Sequence, residues 1–359
     1  MRDAFHPLVA FIYGWTLLLV SQSGGMAAAA LTFAGYYPAL TGTNVSQPLL
    51  AFVVLAFFTI VNCFGVRQGG NVQNFFMVLK IAAIALLIGA GFIVHPPASA
   101  AIVTPNPVTT AGLFGLMAVA MVQVMFAYSG WQTSSFMSGE LKDPARTLPR
   151  GLLWGVSAVI VLYVLVNVVC LRVLGVNGLM HTTAPASEVA RAFMGTRGAQ
   201  FMAVIISLST LGFLSNQILT SPRVYHAMAE DGLFFKWIAW VHPRSRVPVV
   251  AIALQGFVAI VITFWKGYND IINYVIGVDF LFFTLAAAAV FVFRARDGSR
   301  NVPFLIPLHP YTTALFLVVA LAIAVTSYAA SWQGALATAA VFAAAIPAYY
   351  AFAATGKRA

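Results

Sequence analysis

The residues best suited to chemistry in this chain are consecutive: Phe126, Ala127, Tyr128, Ser129, Gly130 and Trp131. They sit inside a long apolar run, yet Tyr-Ser-Gly is poor helix material. Glycine costs about 1 kcal/mol relative to alanine in a helix interior, and serine competes for backbone hydrogen bonds. In lipid, freed backbone groups are tolerated only where they line a cavity or are buried in protein. The stretch therefore predicts a break that floors a binding site mid-span, the arrangement expected of a secondary transporter. The plainer alternative is a kink or a close helix–helix contact through Gly130.

Two ionisable residues lie far inside apolar runs. Lys80 is about eight residues in, roughly 12 Å at the α-helical rise. A charge at that depth must face a polar interior beside a pathway, or snorkel back to the headgroups. Asp279 lies about nine residues into a later run and needs a hydrogen-bond partner there. It either lines the pathway or handles protons there, or it ties two helices together. Ser207, Ser209, Thr210, Ser215, Asn216 and Gln217 make one further run unusually polar, suited to coordinating a ligand or to bonds between helices. Glu140, Lys142, Asp143 and Arg146 cluster beside Pro144 and Pro149, as a rigid charged loop or as part of an inner gate.

Composition fixes the elements that must position these groups. Hydrophobic residues make up 61% of the 359 and charged residues 8%, where a soluble domain carries about 25% charged residues. Ten apolar runs, each about long enough to cross a bilayer, cover Leu8–Phe33, Pro48–Val66, Val72–Val94, Gly112–Met137, Gly151–Leu174, Gly198–Pro222, Pro248–Trp265, Ile271–Phe293, Pro310–Ala330 and Gly334–Phe352. A short amphipathic piece, Glu188–Met194, precedes the sixth. The expected fold is an all-α polytopic membrane protein in a lipid bilayer.

The net charge of +10 is no nucleic-acid signal, because the basic residues sit in short loops. Fourteen of the 19, among them Arg2, Arg67, Arg150, Arg223, Arg294, Arg300, Lys357 and Arg358, fall on one side. Arg172, Arg191, Arg197 and Lys266 fall on the other. The positive-inside rule then makes both termini cytoplasmic. Cys63 and Cys170 lie in apolar runs and imply neither disulfide nor metal site. No histidine pair has ligand spacing inside a span, and no Gly-rich phosphate loop occurs, which argues against a metalloenzyme, a haem protein and an ATP-driven pump. No cofactor is expected.

Four separated motifs resemble one family. FAYSGW with GELKDPARTLPRG is similar to the signature of amino acid permeases in the amino acid–polyamine–organocation (APC) superfamily, at that family's sixth helix and following loop. FHPLVAFIYGWTLLL resembles its third helix, VNCFGVRQGGNVQNFFMVLKIAAIALL the end of the fourth and the fifth, and STLGFLSNQILTSPRVYHAMAEDGLF with VHPRSRVP the eighth and its extension.

The resemblance implies a LeuT-type inverted-repeat fold. Residues 1–94 would hold the family's helices three to five, 110–296 helices six to ten, and 308–354 two further helices. The first two helices, including a Gly-Ser-Gly break that binds the substrate carboxylate, find no match, so the expectation is an N-terminally truncated permease domain or a product that starts upstream. The resemblance also implies that Phe126–Trp131 contacts an amino acid substrate, with Phe126 as a gating aromatic. Val20 and Gly24 would line the pocket from the third helix. Asp279 and Phe280 would approach it from the tenth. Lys80 matches a lysine standing where sodium binds in sodium-coupled relatives, which implies sodium-independent transport. With Lys80, the polar Ser209 and Thr210 and the buried Asp279 are the expected coupling or proton-responsive residues. The function so implied is secondary transport of amino acids by alternating access in a bacterial-type inner membrane, by proton coupling or exchange. The alternative is a transport-inactive truncated permease acting only as a membrane interaction protein.

Overall fold

The computed structural model describes residues 1–65, 70–93, 110–136, 141–182, 184–265, 267–298 and 304–356. Arg67, Glu140, Lys266, Arg300, Lys357 and Arg358 lie outside the described residues, as does Met137. The elements are α1 (Pro7–Thr16), a π-helix (Leu17–Gln22), α2 (Ser23–Thr41), α3 (Gln47–Cys63), α4 (Gly70–Ile93), α5 (Thr110–Ala127), α6 (Thr133–Phe136), α7 (Pro144–Met180), α8 (Pro185–Thr220), α9 (Pro222–Glu230), a 3-10 turn (Lys236–Ala239), α10 (Val249–Trp265), α11 (Tyr268–Asp297), α12 (Tyr311–Ala330) and α13 (Trp332–Gly356). Among the described residues there is no strand.

Local sequence explains where these helices start and bend. Proline occupies the first turn of α1, α3, α7, α8 and α9, where its missing N–H is no loss and its fixed φ is already helical. His6 Nδ1 accepts from Leu8 N and caps α1. Two long helices carry sharp internal turns at glycines with positive φ. Gly175 breaks α7 one residue past the end of the apolar run at Leu174, and Gly195 separates the amphipathic start of α8 from its apolar remainder. Both positions lie in backbone space that side chains disfavour.

Six helical segments are long and apolar enough to cross a membrane, and four shorter apolar helices accompany them among the described residues. Their outward faces are greasy: Phe57, Leu86, Trp154 and Val318 are all well exposed. Such surface would be a liability in water and is the lipid face of a multi-pass membrane protein. The centre of the bundle is α2, packed against α3, α8, α10 and α11. Its core holds Met26, Leu55, Leu214, Ile218, Ile252 and Ile271, all buried. Small residues allow the close approach expected of membrane helices. A Cβ on Gly256 of α10 would fall 2.3 Å from Thr59 Oγ1 of α3.

A second core, built from Phe11, Leu18, Tyr225, Phe234 and Ile238, closes the end of the bundle that carries Arg2, Arg223 and Lys236. Phe136 of α6 and Trp15 of α1 pack on it. In the charged loop, Arg146 reaches Asp143 at 3.8 Å with both side chains exposed. Such a pair contributes about 0–1 kcal/mol.

Candidate functional site

Regular helix stops at Ala127. The chain turns through Tyr128–Gln132 before the four-residue α6, and Gly130 takes φ +104°. The turn satisfies much of its own backbone. Gln132 Oε1 accepts from Gly130 N at 2.9 Å, and Thr133 Oγ1 donates to the Gly130 carbonyl at 2.6 Å. Ser129 and Ser134 hydroxyls donate back to Met125 and Trp131 carbonyls. The Ala127 carbonyl, last in the helix, accepts from Tyr163 Oη of α7 at 3.1 Å. A broken backbone away from water needs such partners.

A second irregularity faces the first. The π-helix Leu17–Gln22 interrupts the first span. A π turn frees carbonyls and rotates the helix beyond it, and such turns concentrate at functional sites. Ser23 Oγ donates to Leu18 O at 2.6 Å, covering one of those carbonyls. Gln22 Oε1 accepts from both Gln217 Nε2 and Ser221 Oγ of the α8–α9 junction, a buried polar link between two spans.

Between the two irregular segments lies a cavity of about 550 Å³, within the usual range for small-molecule sites. The first span contributes Ser21, Gln22, Gly25, Ala28, Ala29 and Thr32. The broken segment contributes Phe126, Ala127, Ser129, Gly130, Gln132 and Thr133. Tyr163, Thr210, Phe213, Asn216, Gln217, Tyr268, Val275 and Asp279 complete it. Among the described residues of this lining, Asp279 is the one Asp, Glu, Lys or Arg; it is buried, with Ser21 beside its carboxyl. Behind the turn lies a second, more apolar cavity of about 770 Å³, lined by Tyr128, Trp131, Tyr163, Phe280, Phe283 and Phe316 among others. Ala127, Ser129, Gly130 and Tyr163 border both, so the turn is the wall between them.

The residues singled out from sequence do not all meet in one place. Phe126, Ala127, Ser129, Gly130, Thr210 and Asp279 meet at the first cavity. Tyr128 and Trp131 point to the second, where Tyr128 packs edge-on against Tyr163 and Trp131 against Phe283, each with ring centroids 5.1 Å apart. Val20 and Gly24 do not line the first cavity. Val20 is buried against Val278 and Phe282, and a Cβ on Gly24 would fall 2.5 Å from Val275 Cγ2. Ser21, Gln22 and Gly25 take that place, on the helix face next to the one that Val20 and Gly24 pack against α11. Ser209 and Lys80 are half-buried and belong to neither lining. The link from Gln22 to Gln217 and Ser221 escaped the sequence reading. Its signal was available: Ser21-Gln22-Ser23 is a polar triplet inside an apolar run.

Among the described residues, no group of three His, Cys, Asp or Glu is placed to hold a metal ion. What the arrangement offers is a pocket of hydroxyls, amides and freed backbone around a single carboxyl. That suits holding a small polar molecule with a cationic group. A helical membrane bundle with two interrupted spans around a polar pocket has the architecture of a transporter rather than an enzyme. The chain belongs to the amino acid permease family, whose model matches residues 1–352, and shares its LeuT-like fold. It is 26% identical to the b(0,+)-type amino acid transporter 1 of Mus musculus over 329 residues, 89% of this chain and 67% of that one. It is 26% identical to the serine/threonine exchanger SteT of Bacillus subtilis, over 88% of this chain and 72% of the relative. With the large neutral amino acids transporter small subunit 2 of Homo sapiens it shares 28% identity over 86% of this chain and 59% of the relative. The chain thus spans about three fifths to under three quarters of the length of these relatives.

Proposed function

We propose that the chain carries amino acids across a membrane by alternating access, without sodium, and that the 550 Å³ cavity holds the substrate. The observation that carries this reading is the pairing of a broken mid-span helix with a buried carboxyl across the same cavity. The substrate ammonium is placed against Asp279 and the Ala127–Gly130 backbone. The neutral donors Thr210, Asn216 and Gln217 face the rest of the molecule. A charge-assisted hydrogen bond is roughly twice as strong as a neutral one, so Asp279 would dominate the orientation of the ligand.

The proposed cycle opens the cavity on one side while the other is closed. The end bearing Arg2 and Arg223 carries the aromatic core around Phe11 and the Gln22–Gln217–Ser221 link, which support its assignment as the closed side of the cycle. The excess of basic residues supports reading that end, with both termini, as cytoplasmic; a bacterial-type inner membrane belongs to the same proposal. Lys80, outside the cavity on α4, is proposed to respond to the transport state by changing its proton or its partners. The repeat boundaries at residues 94, 110 and 296 belong to the same proposal.

Uptake by the purified chain in liposomes tests it, with radiolabelled L-serine and L-leucine, with and without sodium, under a proton gradient or with amino acid preloaded inside. Saturable uptake indifferent to sodium, lost with Asp279→Asn while the protein stays folded, is the expected result. Absence of uptake under every gradient would favour the second reading, a permease-derived membrane interaction protein. That reading draws on the apolar lining behind Trp131.

A further inference from the structure

A third cavity, of about 650 Å³, opens on the side with few basic residues. It is walled by Gly35, Tyr36, Gln47 and Pro48 at the α2–α3 corner, by Ser187, Glu188 and Arg191 at the start of α8, and by Thr263 and Gly267 near α10 and α11. Its lining is far more polar than that of the cavity behind Trp131. Thr32 and Tyr268 border both this pocket and the central cavity.

Three features of the pocket point to a ligand. Glu188 and Arg191 present opposite charges one helical turn apart, with Nη2 and Oε1 separated by 3.5 Å. A partly exposed pair at that distance is screened and adds little to the fold, so each member can exchange its partner for an incoming group of matching charge. Ser187 is buried in the same wall, and its hydroxyl has no hydrogen-bond partner among the described residues. Buried hydroxyls are nearly always satisfied, so an orphan beside a cavity asks what satisfies it. The third feature is adjacency: only Thr32 and Tyr268 are common to the described linings of this pocket and the central cavity.

We propose that this outer pocket is a second binding site for a zwitterionic amino acid, the carboxylate held by Arg191 and the ammonium by Glu188, from which the ligand passes between Thr32 and Tyr268 to the central cavity. The inference rests on the reading of the central cavity as an amino acid site. Arginine suits the carboxylate because its planar guanidinium can donate two parallel hydrogen bonds. The apolar parts of Leu31 and Pro48 leave room for the side chain.

Equilibrium binding of radiolabelled L-serine and L-leucine to the purified full chain tests the proposal, read as stoichiometry and affinity. The wild type is expected to show two saturable sites. Glu188→Gln with Arg191→Gln should weaken one of them roughly tenfold or more, the loss expected for charged hydrogen bonds, and leave the other intact. Asp279→Asn should do the reverse. The charge-exchanged double variant, Glu188→Arg with Arg191→Glu, should restore the outer site, since a zwitterion can bind turned around. A single wild-type site, abolished by Asp279→Asn and untouched by the Glu188 and Arg191 changes, would overturn the outer site and leave the central one standing. Absence of binding by the wild type would overturn both.

Discussion

Tyr163 Oη on α7 donates to the carbonyl of Ala127, the last residue of α5, at 3.1 Å. The side chain of one span thereby occupies a carbonyl that the next turn of the broken span would otherwise have used. Its ring also packs edge-on against Tyr128. Tyr163 therefore holds the position of the break as well as bordering both cavities. Tyr163→Phe keeps the ring contact and removes the bond. It should cost about 0.5–1.5 kcal/mol and lower the rate of uptake while leaving the protein monodisperse. An unchanged rate would show that the carbonyl finds another partner.

Two glycines near the site should behave oppositely. A Cβ at either Gly130 or Gly25 meets nothing within 4 Å, so crowding is not the issue at either. Gly130 has φ +104°, whereas Gly25 is in regular helix. Gly130→Ala must strain or refold the turn, at about 1–3 kcal/mol, and uptake should collapse. Gly25→Ala places a methyl toward the cavity without strain. It should keep thermal stability and shift preference toward smaller side chains, measured by competition among unlabelled amino acids.

Gln22 ties two spans together by accepting from Gln217 and Ser221 at once. Gln22→Leu leaves two buried donors without that acceptor. Each such loss costs about 1–3 kcal/mol in a protein interior, with smaller values typical between membrane helices. The thermal midpoint in detergent should fall, and the cytoplasmic end of the cavity should open more readily. Increased labelling of a cysteine introduced at Asn216, in a background lacking Cys63 and Cys170, would report that opening.

Lys80 makes a different kind of prediction, since it borders neither the central nor the outer cavity. If its charge follows the transport state, Lys80→Ala should flatten the dependence of uptake on pH while the affinity for substrate holds. Buried lysines titrate over a range several units wide, so the comparison should run from about pH 5 to pH 8. A wild-type pH profile retained by the variant would remove Lys80 from the coupling.

Much of the fold was legible because lipid permits so few solutions. With 61% hydrophobic residues and 8% charged, the chain could only be a helical membrane bundle, and its apolar runs mark the spans. Two run boundaries, Leu174 and Gly198, fall within three residues of the glycines that turn α7 and α8. Glycine and serine inside an apolar run also pointed to a break near Tyr128–Gly130, and the turn runs Tyr128–Gln132, because backbone freed in a span must be answered by something. The charge asymmetry between loops, and with it the proposed orientation, is likewise a property of the sequence alone.

Which side chains face the cavity was decided only in three dimensions. The resemblance implies Val20 and Gly24 on the lining, but in the folded chain Ser21, Gln22 and Gly25 hold that place. The Ser23 hydroxyl at the end of the π turn Leu17–Gln22 lies within reach of the Leu18 carbonyl of its own helix and the Gln255 carbonyl of α10, and the second of these no local pattern encodes. Asp279 could be read as buried; that it shares one cavity with Gly130, some 150 residues earlier, comes from how α11 packs beside α2 and α5. The sequence thus set which residues must lie in the bilayer and where the helix must fail, because those depend on transfer into lipid. The tertiary packing set which of them meet, because that depends on rotation and contact between helices far apart in the chain.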